Sequence, residues 1–393
     1  MGRQKNKLLD VIICGGGFTG SLMAKALSDQ GLEVAIFDKR DFRTPLTQDG
    51  RTFAITLGSQ IYLETLGIWE KLKSDPTPIS HILITDHKSD HRLHYDAKAL
   101  GLGPMGYMVT AEDLDQALKA SLSNSKNIQF VESDEVVEMK SNISQIQMTL
   151  KSGRILKATL VIAADGKNSK LRDLAGLASK TIPYHQHAIV GVVSHEKPHH
   201  HIAFEHFTPF GPLAFLPLAG NTSAFVWSLE TEKSEVMMTL KDVEFCQELE
   251  STFGETLGRF QFQGLRQSYP LSLTTCRAIA SDRLVLIGDA AHAMHPVAGQ
   301  GLNLGIRDVE SFSTALREAQ KLGLDFGSPT LLENYVKSRK WDQTSLLSST
   351  HGLIRLFGNS SRFLRFMRGS GLSLVNSIKP LKLFFMKRAM GVE

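Results

Sequence analysis

Cysteine is scarce in this chain of 393 residues: Cys14, Cys246 and Cys276 are its full complement. They are odd in number, far apart and form no CxxC pair. That argues against a disulfide frame or a zinc site and suits a reducing compartment. Long apolar runs are lacking too, since no stretch reaches the roughly eighteen residues that a bilayer-spanning helix needs. The opening "MGRQKNKLLD" has no apolar core of the kind a signal peptide carries. No repeat at solenoid spacing and no low-complexity tract is present. With 42% apolar and 21% charged residues, the composition is that of an ordinary globular protein, long enough for two domains with their own cores.

A generally basic body is also missing. The net charge is +4, but residues 352–393 hold eight basic residues and one acidic, a net +7, which leaves −3 for the remainder. Charge therefore gives no nucleic-acid signal. It belongs to a C-terminal segment that also holds Phe357, Phe363, Phe366, Phe384 and Phe385. Such a segment fits either an anionic membrane surface, a partner protein, or a helix pair packed on the body with solvated cations.

What the chain does have is glycine after strand-like apolar runs. "VIICGGGFTG" places Gly15, Gly17 and Gly20 in a G-x-G-x-x-G pattern between an apolar run and an amphipathic helix ending near Gly31. Gly15 serves a tight turn, Gly17 the approach of a pyrophosphate, and Gly20 close packing of helix on strand. Phosphates would face the positive end of the helix dipole. The second strand, "EVAIFD", ends in Asp38, eighteen residues beyond Gly20 and placed for a ribose. Lys39 and Arg40 beside it admit NADP as a rival to FAD.

Two further motifs decide between them. "LVIAADGKNSKLRDLAGL" ends a strand in Asp165-Gly166, with Ser169 and Arg172 after it to cap and brace a short helix. "RLVLIGDAAHAMHPVAGQGLNLGIRD" ends a strand in Gly288-Asp289, then carries His295-Pro296 and Gly299-Gln300-Gly301 into a helix. Each sets a carboxylate at the C-terminal end of a strand, where open α/β sheets bind ligands. FAD is long enough to need this second anchorage. Free N–H groups at the helix start near Gly301 would stabilise negative charge on the flavin's pyrimidine edge, by on the order of 1 kcal/mol or more.

In this order and spacing the three motifs resemble the flavoprotein aromatic hydroxylases. "GDAAHAMHPVAGQGLNLGIRD" and "HIAFEHFTPFGPLAFLPL" are most similar to the ubiquinone-biosynthesis hydroxylases, the branch acting on polyprenylated phenols. "RTFAITLGSQIYLETLGIW" and "SIKPLKLFFMKRAMG" match as well, so the likeness spans nearly the whole chain. The fold it implies is α/β: a Rossmann-like FAD-binding domain of the glutathione-reductase/aromatic-hydroxylase type, a second, mainly antiparallel substrate domain, and a C-terminal helical segment. The expected division is 1–75, 100–180 and 275–330 for the FAD domain, 76–99 and 181–274 for the substrate domain, and 331–393 for the helical segment, with crossings near Asp75–Pro78 and Pro183.

The resemblance implies that Gly15, Gly17, Phe18, Thr19 and Gly20 hold the FAD pyrophosphate, with Asp38 and Lys39 at its ribose and Arg51 near phosphate and flavin. It sets Asp165 by the pyrophosphate and the reduced nicotinamide. Gly288 and Asp289 take the ribityl chain, and Pro296, Gly299, Gln300, Gly301, Leu302 and Asn303 surround the ring. His295 and Pro296 are candidates for a catalytic part, though His295 serves equally to fix the turn before the proline. Where relatives carry a polar or basic residue toward the ribityl-phosphate arm, this chain has Ala111, so no flavin contact is assigned there.

The implied chemistry is ring hydroxylation of a lipophilic phenol through a flavin C4a-hydroperoxide, with O2 as co-substrate and NAD(P)H or another transient donor. The chain has a single GxGxxG and so no second Rossmann domain for a nicotinamide. Hydroxylation of a soluble phenol and a flavin-binding organising subunit of a biosynthetic complex are the alternatives. Flavin halogenases carry WxWxIP, and Trp69, Trp227 and Trp341 stand in no such setting. The expected place is the cytoplasm, peripheral at the inner membrane face through the basic segment, with a homo-oligomer admitted. Phe204, Phe207, Phe210, Phe215, Phe225 and Trp227 are read mostly as core of the second domain, with some roofing a dry pocket. His199 to His201 are expected on a strand, pointing alternately to opposite faces and so chelating poorly; no metal is assigned. Tyr335 and Arg339 are expected to pack or pair locally.

Overall fold

The structure is a computed structural model describing residues 8–42, 44, 50–87, 89–131, 133–294, 299–357 and 377–392. The chain opens with β1 (Leu9–Cys14), α1 (Phe18–Asp29) and β2 (Val34–Phe37). β3 (Thr52–Thr56), α2 (Leu57–Thr65), β4 (Thr77–Ile79), β5 (His81–Asp86), β6 (Ser89–Asp96) and β7 (Gly106–Thr110) follow. α3 (Ala111–Leu122) leads to β8 (Ile128–Val131), β9 (Val136–Ser141), β10 (Ile146–Leu150) and β11 (Ile155–Ala163). The short α4 (Lys170–Leu174) precedes β12 (Ser179–His195), β13 (Ile202–Thr208), β14 (Gly211–Pro217) and β15 (Thr222–Glu230). α5 (Thr231–Thr239) and α6 (Asp242–Phe253) come next, then β16 (Phe260–Cys276), β17 (Ala280–Ser281), β18 (Leu284–Leu286) and β19 (His292–Ala293). α7 (Gln300–Lys321), α8 (Pro329–Phe357) and α9 (Lys379–Met390) end the described chain.

The first sheet has a parallel heart ordered β18-β11-β1-β2-β8, with β17 and β10 added antiparallel and β9 beyond β10. Its central strands are apolar on both faces because both faces are covered. Val11, Ile12 and Ile13 of β1 are fully buried, as are Leu160 to Ala163 of β11. Each large side chain among them contributes about 1.5–3 kcal/mol by leaving water. α1 packs on α7 and α3. It ends at Asp29, and Gly31 takes the left-handed φ of +82° just beyond.

The second sheet runs β19-β16-β12-β15-β14-β13-β5-β6, and every pairing is antiparallel except β13 with β5. β12 passes without a break through Pro183, with a register shift between Pro183 and His187. A small sheet, β3-β7-β4, lies between the two large ones, and Ile79 and Met108 from it pack on Ala203 and Ala224.

Strand alternation divides the second sheet cleanly. Phe204, Leu213, Phe215, Phe225 and Trp227 pack with Met237, Phe245 and Leu249 of α5 and α6. Ala203, Phe207, Ala214, Leu216, Ala224 and Val226 face a cleft on the other side. Most of the strand aromatics are therefore core, as expected of them. Phe207 lines the cleft, Phe204 and Phe225 border it from their core positions, and exposed Phe210 sits under the Lys233 ammonium at 3.2 Å.

The triple histidine departs from expectation. It forms a turn before β13, with left-handed φ at His200 (51°) and His201 (58°), rather than strand. His199 is buried and its Nε2 meets the Leu218 carbonyl at 2.8 Å, while its Nδ1 accepts from the His201 backbone N–H. Among the described residues no group of three or more His, Cys, Asp or Glu side chains is arranged to hold a metal. No described helix is long and apolar enough to cross a membrane. α9 buries Met386 and Met390 against Leu57, Leu93 and Tyr95 while Phe384 and Phe385 stay exposed, so one helix combines packing with an open apolar edge. The chain breaks expected at 358–361 and 368–371, and Arg362, Arg365 and Arg368 of the basic segment, lie outside the described residues.

Candidate active site

The three motifs meet. Gly15 has φ +107°, and a Cβ on it would stand 2.1 Å from the carbonyl oxygen of Ala164, the residue before Asp165. A Cβ on Gly20 would stand 1.9 Å from the Gly15 oxygen and 3.2 Å from the Ala164 Cβ. Those two glycines let the first turn, α1 and the end of β11 touch. Thr19 of α1 packs on Gly288 and Gly305, which brings in the third motif. Arg172 donates to the Ala290 carbonyl at 3.2 Å and ties the second motif to the third, while Ser169 caps α4 at the Arg172 N–H.

One buried carboxylate organises the third turn. Asp308 on α7 is fully buried. Its Oδ2 accepts from the Gly288 N–H at 3.0 Å and meets His292 Nε2 at 2.7 Å. Its Oδ1 accepts from Arg339 Nε at 2.8 Å and Gln343 Nε2 at 3.2 Å, both on α8. Burial alone would raise its pKa, but the His292 and Arg339 charges and the donated hydrogen bonds hold it down at about 2. Tyr335, one turn before Arg339, packs on Phe312 with the rings tilted at 52°. The expected local pairing of Tyr335 with Arg339 holds, and Arg339 in addition joins the hub at Asp308. Its signal was an acid within the buried stripe of α7.

The remaining predicted residues divide into those that border the cleft and those behind it. Gly17, Phe18, Thr19, Arg51, Asp289, Gly299, Gln300, Gly301 and Leu302 line it. Gly15, Gly20, Asp38, Lys39, Asp165, Gly288 and Asn303 do not. Asp38 holds the first turn, accepting from Gly16 N–H at 2.7 Å and Arg40 N–H at 2.8 Å, and exposed Lys39 lies beyond it. Asn303 braces α7 to β3. It accepts from the Thr56 N–H at 2.9 Å and donates to the carbonyls of Ala54 (2.7 Å) and Gly299 (3.1 Å). His295 and Pro296 lie outside the described residues. Lys167 and Tyr95, unremarked in the sequence, also line the cleft. Asp289 is open to the cleft but enclosed by its walls, whose desolvation raises its pKa against the charges of His292 and Lys167.

The cleft fits FAD. Neither α1 nor α7 has a side-chain cap, so their first N–H groups are left for a ligand, and both start at the cleft. Gly17 has nothing within 4 Å of where a Cβ would be. Asp165 uses one oxygen to cap α4, at the Lys170 N–H, while its buried Oδ1 has no partner among the described residues. The cleft volume, about 1780 Å³, exceeds the ~300–1,000 Å³ of a site for one small ligand and leaves space beyond the cofactor.

Turns, helix ends and cleft fit a flavin enzyme, and similarity to known proteins makes it a flavin-dependent aromatic-ring hydroxylase. Residues 8–348 match the family described as "FAD binding domain". The ubiquinone hydroxylase UbiL of Rhodospirillum rubrum is 40% identical over 388 residues, covering 98% of this chain and 90% of that protein. The 3-demethoxyubiquinol 3-hydroxylase of Escherichia coli is 30% identical, covering 98% of this chain and 100% of the relative. The crystal structure of p-nitrophenol 4-monooxygenase PnpA from Pseudomonas putida superposes with a TM-score of 0.77 at 19% identity, over 98% of this chain and 96% of that one. The chain belongs to the FAD-binding-domain family, among the FAD-dependent monooxygenases of ubiquinone biosynthesis.

Proposed function

We propose that the protein hydroxylates the aromatic ring of a polyprenylated phenol on the way to ubiquinone. The observation that carries this is the joining, in one cleft, of the flavin turns and the largely apolar face of the antiparallel sheet. FAD bound at those turns supplies the reduced flavin that activates O2. The chain does the rest. The uncapped N-terminus of α7 offers N–H groups to negative charge on the flavin edge. Ile82, Ile84, Val190, Leu216 and Val226 keep water from the reacting oxygen and accommodate a prenyl chain. Electrons come from NAD(P)H or another transient donor, in keeping with a single dinucleotide turn in the chain.

A peripheral contact completes the proposal. Exposed Phe384 and Phe385 border the cleft, with Arg388 beside them and Lys387 on the same helix. They support delivery of a lipid substrate from the inner face of the membrane or from a biosynthetic complex. The test is oxygen consumption by the FAD-loaded protein with a reductant and a prenylated phenol, with the product identified by mass spectrometry. The proposal expects consumption coupled to a hydroxylated product. Equal rates on an unprenylated soluble phenol contradict the lipid assignment. Flavin binding without any phenol-dependent consumption favours an organising subunit.

A further inference from the structure

Among the described residues, one acid of the antiparallel sheet borders the cleft. Glu205 stands in the middle of β13, with Ala203 and Phe207 two residues away on the same face. Its register partners are Ile84 on β5 and Ala214 on β14, and both border the cleft with it. No hydrogen bond or ion pair to Glu205 is found among the described residues, and burial is the one influence on its carboxyl, carrying its pKa up to about 7. The other ionisable groups bordering the cleft there are Arg51, Lys167, Asp289, Arg388, Tyr95 and Tyr269, none of them on β13, β14 or β15.

A carboxyl group set among apolar side chains is costly unless something satisfies it. A polar atom on an otherwise greasy ligand does so, and on β13, β14 and β15 the other polar side chain bordering the cleft is the hydroxyl of Ser228. The ring hydroxyl of a prenylated phenol is that kind of atom, and the apolar neighbours of Glu205 suit the prenyl chain. We infer that Glu205 accepts the hydrogen bond of the substrate's ring hydroxyl and so sets which way the ring lies in the cleft. The inference rests on the phenol substrate proposed above.

The test uses the FAD-loaded protein and two ligands, a short-chain prenylated phenol and its methyl ether, which cannot donate. Binding is followed by perturbation of the oxidised flavin's absorbance, without turnover. Wild type is expected to bind the phenol about 10-fold or more tightly than the ether, the discrimination a single buried polar partner gives. In Glu205→Leu the ratio falls to near one with FAD retained. In Glu205→Gln, whose amide carbonyl still accepts, most of the discrimination survives. A Glu205→Leu protein that keeps the wild-type ratio overturns the inference. So does a wild type that binds phenol and ether equally, which leaves the phenol substrate standing. A wild type that binds neither ligand removes the proposed substrate, and the inference falls with it.

Discussion

The parallel sheet and the antiparallel sheet put their acids to opposite uses. Asp38, just past the end of β2, and Asp308, on α7 against the turn that follows β18, are wrapped in donors: two backbone N–H groups for the first, four donors for the second. On the antiparallel sheet Glu205 faces the cleft with no partner among the described residues. Burial acts on all such groups in one direction, yet Asp308 is held down at about 2 and Glu205 rises to about 7. Asp308 is the deeper of the two and Glu205 only half-buried, so the opposite shifts follow hydrogen bonding and charge rather than depth. A satisfied carboxylate is architecture, here fixing loops that a cofactor needs. An unsatisfied one is an opening for a ligand. Asp165 shows both in a single side chain, with one oxygen capping α4 and the other buried without a partner.

The comparison is broken most severely at the satisfied end. Asp308→Ala leaves buried His292 without its carboxylate and Arg339 with only Asp342, and this loss is expected to cost about 3–5 kcal/mol of stability. Urea denaturation of wild type and variant measures it. A change under 1 kcal/mol removes Asp308 as the hub.

At the other end the effect depends on pH. The folded pKa of Glu205 lies above that of the unfolded chain. Its favourable contribution is therefore present below about pH 4.5 and is lost as pH rises through about 7. Stability of the ligand-free protein is expected to fall across that window by up to about 3 kcal/mol more than in Glu205→Gln. Parallel denaturation curves from pH 4.5 to pH 8 for the two proteins are the check. Matching slopes contradict an unsatisfied carboxyl at that position.

A smaller contrast separates two glycines three residues apart. Gly20→Ala drives a methyl into the Gly15 backbone and is expected to cost about 1–3 kcal/mol. Gly17→Ala, at an ordinary φ of −72° and with open space, leaves stability within about 0.5 kcal/mol. Its methyl instead occupies the approach of the pyrophosphate, so FAD affinity is expected to drop about tenfold or more. Thermal melts and FAD titration of both variants sharpen the distinction between a glycine for packing and a glycine for a ligand.

The parallel sheet was the legible half. Val11 to Cys14, Gly15 to Gly20 and Asp38 are local in sequence, and their apolar run, turn and helix each follow from residues a few places apart. Gly288-Asp289 and the start of α7 were legible for the same reason. The Asp308 hub joins α7 to α8 across 31 residues to Arg339, and no local pattern gives a partner at that separation. The backbone hydrogen bonds of Asp38 and Asn303 were equally invisible, because they depend on which atoms the fold brings near. Strand alternation along "HIAFEHFT" sets Ala203, Glu205 and Phe207 opposite Phe204 and His206, although the expected core grouped Phe204 with Phe207 and left Glu205 unremarked. It did not say which set faces the cleft, since α5 and α6, which cover the other face, come later in the chain. The triple histidine was misplaced because two left-handed residues make a turn where composition permitted a strand.

A crystal structure of the FAD-loaded protein with a prenylated phenol tests the account most directly. The account predicts the flavin along Gly17, Asp289 and Gly301, and the ring hydroxyl within hydrogen-bonding distance of a Glu205 carboxylate oxygen, with the prenyl chain against Ile84 and Val226. A phenol seated outside the cleft, or within it with its hydroxyl turned away from Glu205, would contradict it.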